Sequence, residues 1–407
     1  MATILPDAAA PKSGRSPNSA QRYGRADRSA VARWFWEIDR VLLMLVAVLI
    51  GIGLLAVAAA SPATAVRYSG GDVTFQPLHY FWRQLMWIGL GVPVMVAVSM
   101  LPREAAKRWA LGGASFFFVM MIFVPVLGAE INGARRWIGV GIGQFQPSEF
   151  LKPCFAVAIA WLLSLKDRDR TLPVFWITAV LTGVIAVLLM KQPDFGSCVI
   201  FGAMWIALLA LAGVPMRTLA WLGAAAVAAI VCAYLFYDVA TQRIDNFLFA
   251  GGDTYQVDSA LRTLTAGGLM GMGPGGGTRK FSLPEAHTDY IFSVIGEEFG
   301  LIACLAIALL YIAIIVRVMV KLLDEEDKFV VLAAAGLAVQ FGLQAMINMA
   351  VNVNLAPSKG MTLPFISYGG SSMIALSMGM GLLLAFTRRN PYLNRSPYVV
   401  KRGSASK

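Results

Sequence analysis

The sequence predicts an all-α, polytopic integral membrane protein of about ten transmembrane helices, with one large outer loop between helices 7 and 8. Three observations carry that reading. The 407-residue chain is 58% hydrophobic and only 14% charged, where soluble globular chains carry ~25% charged residues. Its mean hydropathy is +0.67. Apolar runs of about 20 residues, each long enough to cross the hydrocarbon core, recur along the whole length. A spanning segment must satisfy its own backbone hydrogen bonds, so these runs are read as helices.

The elements follow in order. Residues 1–40 are a basic tail rich in Ala, Pro, Ser and Arg, expected to be disordered to about Arg28. It ends in "RSAVARWFWEIDR", which reads as a short interfacial helix with Trp34, Phe35 and Trp36 at headgroup level. The apolar run from Val41 is longer than the 7–15 residues of a signal-peptide core. It is read as the first span, although "AAASPATA" behind it mimics a cleavage site. Spans are expected near 41–60, 83–101, 108–127, 148–165, 173–190, 196–213, 217–237, 290–320, 329–352 and 365–387. The membrane domain is then 41–390, the connection 238–289 its one long outer loop, and 391–407 a second basic tail.

An even number of spans puts both termini on one side. Most of the 34 Lys and Arg residues fall in the tails and in the loops of that side, which makes it the cytoplasmic face. The net charge of +11 therefore reflects topology and attraction to anionic lipid, and nucleic acid is not an expected partner. The four cysteines, Cys154, Cys198, Cys232 and Cys304, lie in apolar runs without metal-ligand spacing. They read as small core residues rather than disulfide or zinc positions.

Several cations sit where the charge rule disfavours them, on the outer side. Arg67, Arg83, Arg135, Arg136, Lys152, Lys191 and Lys359 are among them. Simple pairing with the outer acids accounts for them; so does a site for an anionic, diphosphate-bearing lipid headgroup. Lys152 lies one turn into an apolar helix behind Ser148 and Glu149, and an ionisable group in a span is a functional candidate. Arg135 and Arg136 in "INGARRW" offer guanidinium forks for phosphate oxygens. Asp194 in "MKQPDFGS" has the spacing of a helix cap. The glycines of "GGLMGMGPGGGTRK" match G-x-G-x-x-G only formally, since Pro274 interrupts them and no strand precedes. Such a loop remains suited to close approach of backbone to a sugar or phosphate.

The stretch "LPEAHTDYIFSVIGEEFG" (Leu283–Gly300) gathers Glu285, Asp289, Glu297, Glu298 and His287 at the mouth of a span. Asp289 suits two roles: N-cap of the helix, with Thr288 as rival, or a general base beside His287. Adjacent helical residues point about 100° apart, so at most one of Glu297 and Glu298 can share the Asp289 face. Gln340, Gln344, Asn348 and Asn352 recur every four residues and form one polar stripe, read as interhelical hydrogen bonding in preference to a substrate groove.

This stretch, with "NGARRW", "QPSEFLKP", "KQPDFGS" and "PSKGMTLPFISYGGSS", resembles the signature segments of the SEDS family over about residues 41–390. The wording is closer to its cell-division branch than to its elongation branch. The resemblance implies a ten-span polymerase of the inner membrane that makes peptidoglycan glycan strands from lipid II at the division septum. It implies that Asp289 is the catalytic base and that Arg136, Lys152 and Lys359 hold lipid diphosphate, with Arg135 as a neighbouring substitute. His287, Glu298 and Asp194 complete the expected substrate-binding set. The implied partners are a class B penicillin-binding transpeptidase and other division-complex membrane proteins. No dedicated cofactor is expected; a divalent cation would arrive with the substrate's diphosphate. A transporter of lipid-linked precursors is the rival class. It would place its site near the midplane between internal repeats, and no repeat is evident.

Overall fold

A computed structural model describes residues 30–70, 74–131, 134–139, 141–167, 169–249, 255–357 and 360–388. Lys359 and most of the two expected basic tails lie outside the described residues. The chain divides into two units. In the terminal unit, α1 (Ala30–Glu37) is the short helix expected there, with the rings of Phe35 and Trp36 edge to face at 5.8 Å.

The second unit, Ile38–Arg389, holds the apolar helices. They are α2 (Arg40–Tyr68), α3 (His79–Ser99), α4 (Arg103–Leu127), α5 (Pro147–Leu165), α6 (Val174–Lys191), α7 (Phe195–Leu211) and α8 (Met216–Phe236). After the long connection come α11 (Ile291–Leu322), α12 (Lys328–Asn352) and α13 (Gly370–Thr387). Among the described residues nine helices are long and apolar enough to cross a membrane, and α7, with 17 residues, is a shorter apolar helix between them. An apolar helix stands at each of the ten expected positions, nine of them of spanning length among the described residues, most with ends shifted by a few residues.

Two parts of the expectation change. The connection 238–289 is not one irregular loop, because it contains α9 (Asp238–Leu248) and α10 (Tyr255–Ala266). The segment after α4 forms an antiparallel hairpin, β1 (Ala129–Ile131) with β2 (Ala134–Trp137). Both are short and polar enough to escape a hydropathy reading.

Side-chain caps set several helix starts. Asp39 accepts from the backbone N–H of Val41 and Leu42 at 3.1 and 3.2 Å. Asp194 caps α7 through Ser197 N–H at 3.1 Å, the cap role its spacing suggested, and Asp327 caps α12 through Phe329 N–H at 2.9 Å. Each satisfies one or more amides that a helix start leaves open.

Burial ranks the helices. α5, α12 and α13 form the centre, with α13 packed on α3, α5 and α12, whereas α8 buries no residue and lies at the periphery. The connections alternate between two ends of the helices. One end carries 69–78, 128–146, 192–194, 237–290 and 353–369. The other carries a cluster around Asp39, which is 3% exposed and pairs with Arg317 at 3.0 Å and Lys321 at 2.9 Å. Burial raises the Asp39 pKa, but those two cations and the amide bonds outweigh it and hold the carboxyl below its ordinary value.

Candidate functional site

The stretch from Leu283 to Tyr290 is a series of tight turns on the N-terminus of α11. Glu285 adopts φ +49°, and its carbonyl accepts from the N–H groups of Thr288 at 3.1 Å and Tyr290 at 3.2 Å, which reverses the chain. Leu283, Ala286 and Tyr290 anchor the turn in a buried cluster with Ala60 of α2, Ala260 of α10 and Val351 of α12.

Asp289 is held there by its main chain. Its carbonyl accepts from the side-chain amides of Asn348 at 2.9 Å and Asn352 at 3.0 Å. Asn352 also accepts, through Oδ1, from Ser293 N–H at 3.1 Å and Ser293 Oγ at 2.8 Å. Asn352 is thus the side-chain cap on the first turn of α11. The sequence offered Asp289, with Thr288 as rival, for that role among others; Tyr290 stands at the N-cap position and makes no side-chain cap bond itself. The half-buried Asp289 carboxylate faces Gly360, where a Cβ would stand 3.5 Å from Oδ2. The amide stripe of α12 is structural, as its spacing suggested. Besides Asp289, it holds the 361–367 segment through Gln344 to Thr362 carbonyl at 3.1 Å and Asn348 to Met361 carbonyl at 2.7 Å. Ser367 Oγ then donates to Thr288 carbonyl at 2.6 Å and binds the two segments together.

His287 is only 4% exposed and sits among the rings of Tyr80, Tyr368 and Tyr68, with centroids at 4.4, 5.2 and 6.3 Å. Burial pulls its pKa down to about 4, so the imidazole is neutral at neutral pH. Its ring is packed on tyrosines, and its carbonyl accepts from Tyr368 N–H at 2.9 Å.

Glu297 and Glu298, the latter expected in the substrate-binding set, lie fully buried in the first turns of α11. Glu298 pairs through one oxygen with the buried Lys280 Nζ and through the other with Gly275 N–H at 2.8 Å. Glu297 accepts from Arg279 N–H at 2.6 Å and Lys280 N–H at 3.0 Å. Both acids clamp the glycine-rich segment 267–281 onto α11. Three of its glycines serve close packing, since a Cβ on Gly267, Gly271 or Gly277 would collide with Gly296, Glu298 or Glu297 of α11. At Gly300 (φ 81°, ψ 176°) the helix is broken. Leu301 N–H donates to Gly268 carbonyl at 3.0 Å, and Met272 N–H donates to Glu297 carbonyl at 2.9 Å.

A second group lies between α4 and α7. Arg136 on β2 donates through Nε to Gln192 carbonyl at 2.9 Å and through Nη2 to Pro193 carbonyl. Asp194, beside that turn, accepts from Gln146 Nε2 at 3.1 Å as well as capping α7. Lys152 is 0% exposed and pairs one turn back with Glu149 at 2.6 Å, so its charge is balanced locally. Arg135 is half exposed and pairs with Glu130 at 3.2 Å across the hairpin. Arg136 and Asp194 are therefore brought together around one turn. Asp289 and His287 are brought together on another, built from α2, α11, α12 and 361–369. Sequence reasoning missed the roles of Tyr68, Tyr80 and Tyr368 around His287, since nothing local links three rings from three segments. Asn348 and Asn352 it found as a stripe but could not assign to the Asp289 carbonyl.

Ten apolar helices among the described residues, with Asp289 held at the mouth of one of them, define a multi-pass membrane protein with its candidate chemistry at a helix end rather than at mid-depth. The chain belongs to the FtsW/RodA/SpoVE family of cell cycle proteins, whose family model matches residues 40–392. It is 37% identical over 380 residues to a probable peptidoglycan glycosyltransferase FtsW of Caulobacter vibrioides, spanning 92% of this chain and 95% of that one. A probable peptidoglycan glycosyltransferase FtsW of Coxiella burnetii is 33% identical over 364 residues, 86% of this chain and 96% of its own. A solved peptidoglycan synthase complex, described as coordinating polymerization and crosslinking, matches with TM-score 0.71 and 26% identity over 86% of this chain and 97% of that one. The rod shape determining protein RodA of Thermus thermophilus matches with TM-score 0.63 and 27% identity, over 86% of this chain and 96% of that one.

Proposed function

We propose that this chain is a peptidoglycan glycosyltransferase that polymerises glycan strands from lipid II during septal wall synthesis. The end that carries 237–290 and 353–369 faces outward, both termini are cytoplasmic, and two polyprenyl-diphosphate glycans meet there at the membrane–water interface. Asp289 takes the proton from the acceptor's 4-hydroxyl. The freed oxygen attacks the donor's anomeric carbon, the bond to the diphosphate breaks with inversion, and polyprenyl diphosphate leaves. A positioned base contributes roughly 10²–10⁴-fold. Arg136 and Lys359 stabilise the charge growing on the departing diphosphate; a divalent cation, if required, arrives with that diphosphate.

The observation that carries this reading is the holding of Asp289 through its carbonyl by Asn348 and Asn352, with the helix cap supplied by Asn352. The names of the relatives support the reaction. The likeness to a peptidoglycan synthase complex supports a class B penicillin-binding transpeptidase as partner. The test is polymerisation of lipid II by the purified protein with its cognate transpeptidase, wild type beside Asp289→Asn. Polymer from wild type alone supports the base. Equal polymer from both removes Asp289 from that role, and none from either, with both folded, removes the enzyme reading.

A further inference from the structure

We infer that the rings of Tyr68, Tyr80 and Tyr368 around His287, edged by Glu285 and Arg83, form a saccharide subsite that seats one pyranose of the glycan beside the reacting sugar. This rests on the polymerase reading and adds to it a place for a second sugar.

Four separate segments build the cluster. Tyr68 ends α2, Tyr80 lies in the first turn of α3, His287 in the 283–290 turn, and Tyr368 just before α13. The Tyr80 ring lies 5.4 Å from that of Tyr368 and 6.4 Å from that of Tyr68. Tyrosines at a bilayer surface commonly serve as anchors in the headgroup layer. Here the hydroxyl of Tyr68 is directed to a carboxylate, donating to Glu285 Oε1 at 2.8 Å, and the Arg83 charge lies close enough to act on Tyr80 and Tyr368. The length of α2 lets its Tyr68 end reach beyond the acyl chains. α2 has 29 residues, which at 1.5 Å per residue gives about 44 Å against a hydrocarbon core of about 30 Å. Tyr68, at its end, is 44% exposed.

The chemistry fits a sugar. One face of a pyranose presents axial C–H groups with slightly positive hydrogens, and the face of a tyrosine ring is negative. Its rim presents hydroxyl and acetamido groups, for which Glu285 is an acceptor and Arg83 a donor. A buried polar atom points to the same kind of ligand. His287 Nδ1 is enclosed and finds no hydrogen-bond partner among the described residues. Leaving such an atom unpaired is costly, and a sugar hydroxyl would relieve it. The subsite and the proposed base are also close along the chain: two Cα steps from His287 to Asp289 span at most ~7.6 Å.

The test uses the full-length protein in lipid nanodiscs. The probe is a soluble tetrasaccharide of alternating N-acetylglucosamine and N-acetylmuramic acid, without lipid or diphosphate, read by saturation-transfer NMR. Tyr80→Leu, which keeps bulk and loses the ring face, is expected to weaken binding roughly 2- to 10-fold, and Tyr80→Phe to restore most of it. The same pattern is expected in an Asp289→Asn background. Trp221→Leu, an aromatic loss on the peripheral α8, where Trp221 is 68% exposed, serves as control. Should Tyr80→Leu fail to fold, Tyr68→Leu at the rim carries the test. No binding by the wild type, or equal binding by wild type and a folded ring-loss variant, overturns the subsite. An effect on lipid retention alone makes the cluster an interfacial anchor and also overturns it. Polymerisation by the wild type without Tyr80 dependence sinks the subsite and spares the polymerase; Tyr80-dependent binding without polymerisation does the reverse.

Discussion

Asp289 and Glu298 belong to one short stretch of sequence and are held in opposite ways. Glu298 is fixed by its carboxylate, which is enclosed and bonded through both oxygens to Lys280 and Gly275. Asp289 is held through its main-chain carbonyl, which accepts from Asn348 and Asn352. An acid gripped by its carboxylate and an acid gripped by its main chain can look alike in composition. They differ in which atoms the fold grips.

The largest test of that contrast is Asp289→Asn. Polymer yield should fall by roughly 10²–10⁴ with the thermal transition nearly unmoved. Loss of folding along with activity would make Asp289 structural like Glu298. Glu298→Leu should do the reverse by stranding the buried Lys280 ammonium, at about 3–5 kcal/mol of stability, read by thermal unfolding in detergent. Adding Lys280→Met should recover most of that loss, because neither charge is then buried alone.

His287 predicts a pH effect on the fold of the same turn. Its folded pKa of about 4 lies below the ordinary 6.5. Between these values the unfolded chain binds more protons, so stability falls as pH drops from 6.5 and levels off below about 4. The full span is on the order of 3 kcal/mol. His287→Gln should flatten the unfolding profile in that window. Asp39 does not interfere: with its carboxyl held below 3.8, it contributes stability above the unfolded pKa and loses it only under more acidic conditions.

Asn352→Leu removes the cap on Ser293 and one donor to the Asp289 carbonyl. It should cost about 1–2 kcal/mol and lower turnover roughly tenfold by misplacing the base. A variant with unchanged turnover would show that Asn348 alone suffices. The smallest effect is expected from Gly360→Ala. Its methyl would meet Asp289 Oδ2 at 3.5 Å, an ordinary contact distance. Stability should change by less than about 0.5 kcal/mol, with a change in KM as the sensitive readout.

The spans were legible because an apolar run long enough to cross a bilayer has few alternatives. Asp289 stood out for the same reason, as an acid at the edge of such a run. What it does not do was illegible. A cap on the first turn of α11 comes from Asn352, far along the chain, which adjacency could not show. Glu298 looked available because its partner Lys280 lies in a glycine-rich segment that reads as a ligand loop. Three of those glycines, Gly267, Gly271 and Gly277, answer to the approach of α11. α9, α10 and the 129–137 hairpin are short and polar, and hydropathy carries no signal for them.

The break at Gly300 bears on how the protein is made. Leu301 and Ile302 give their amide protons to Gly268 and Leu269, residues synthesised before them. The partners for an interrupted helix are thus already on the chain when that helix emerges. α11 can complete its hydrogen bonding only after the preceding segment has returned to it, which orders its assembly during biogenesis. Amide protons at 301 and 302 should therefore gain protection from hydrogen exchange together with those at 272 and 273, as one cooperative unit rather than as parts of separate elements.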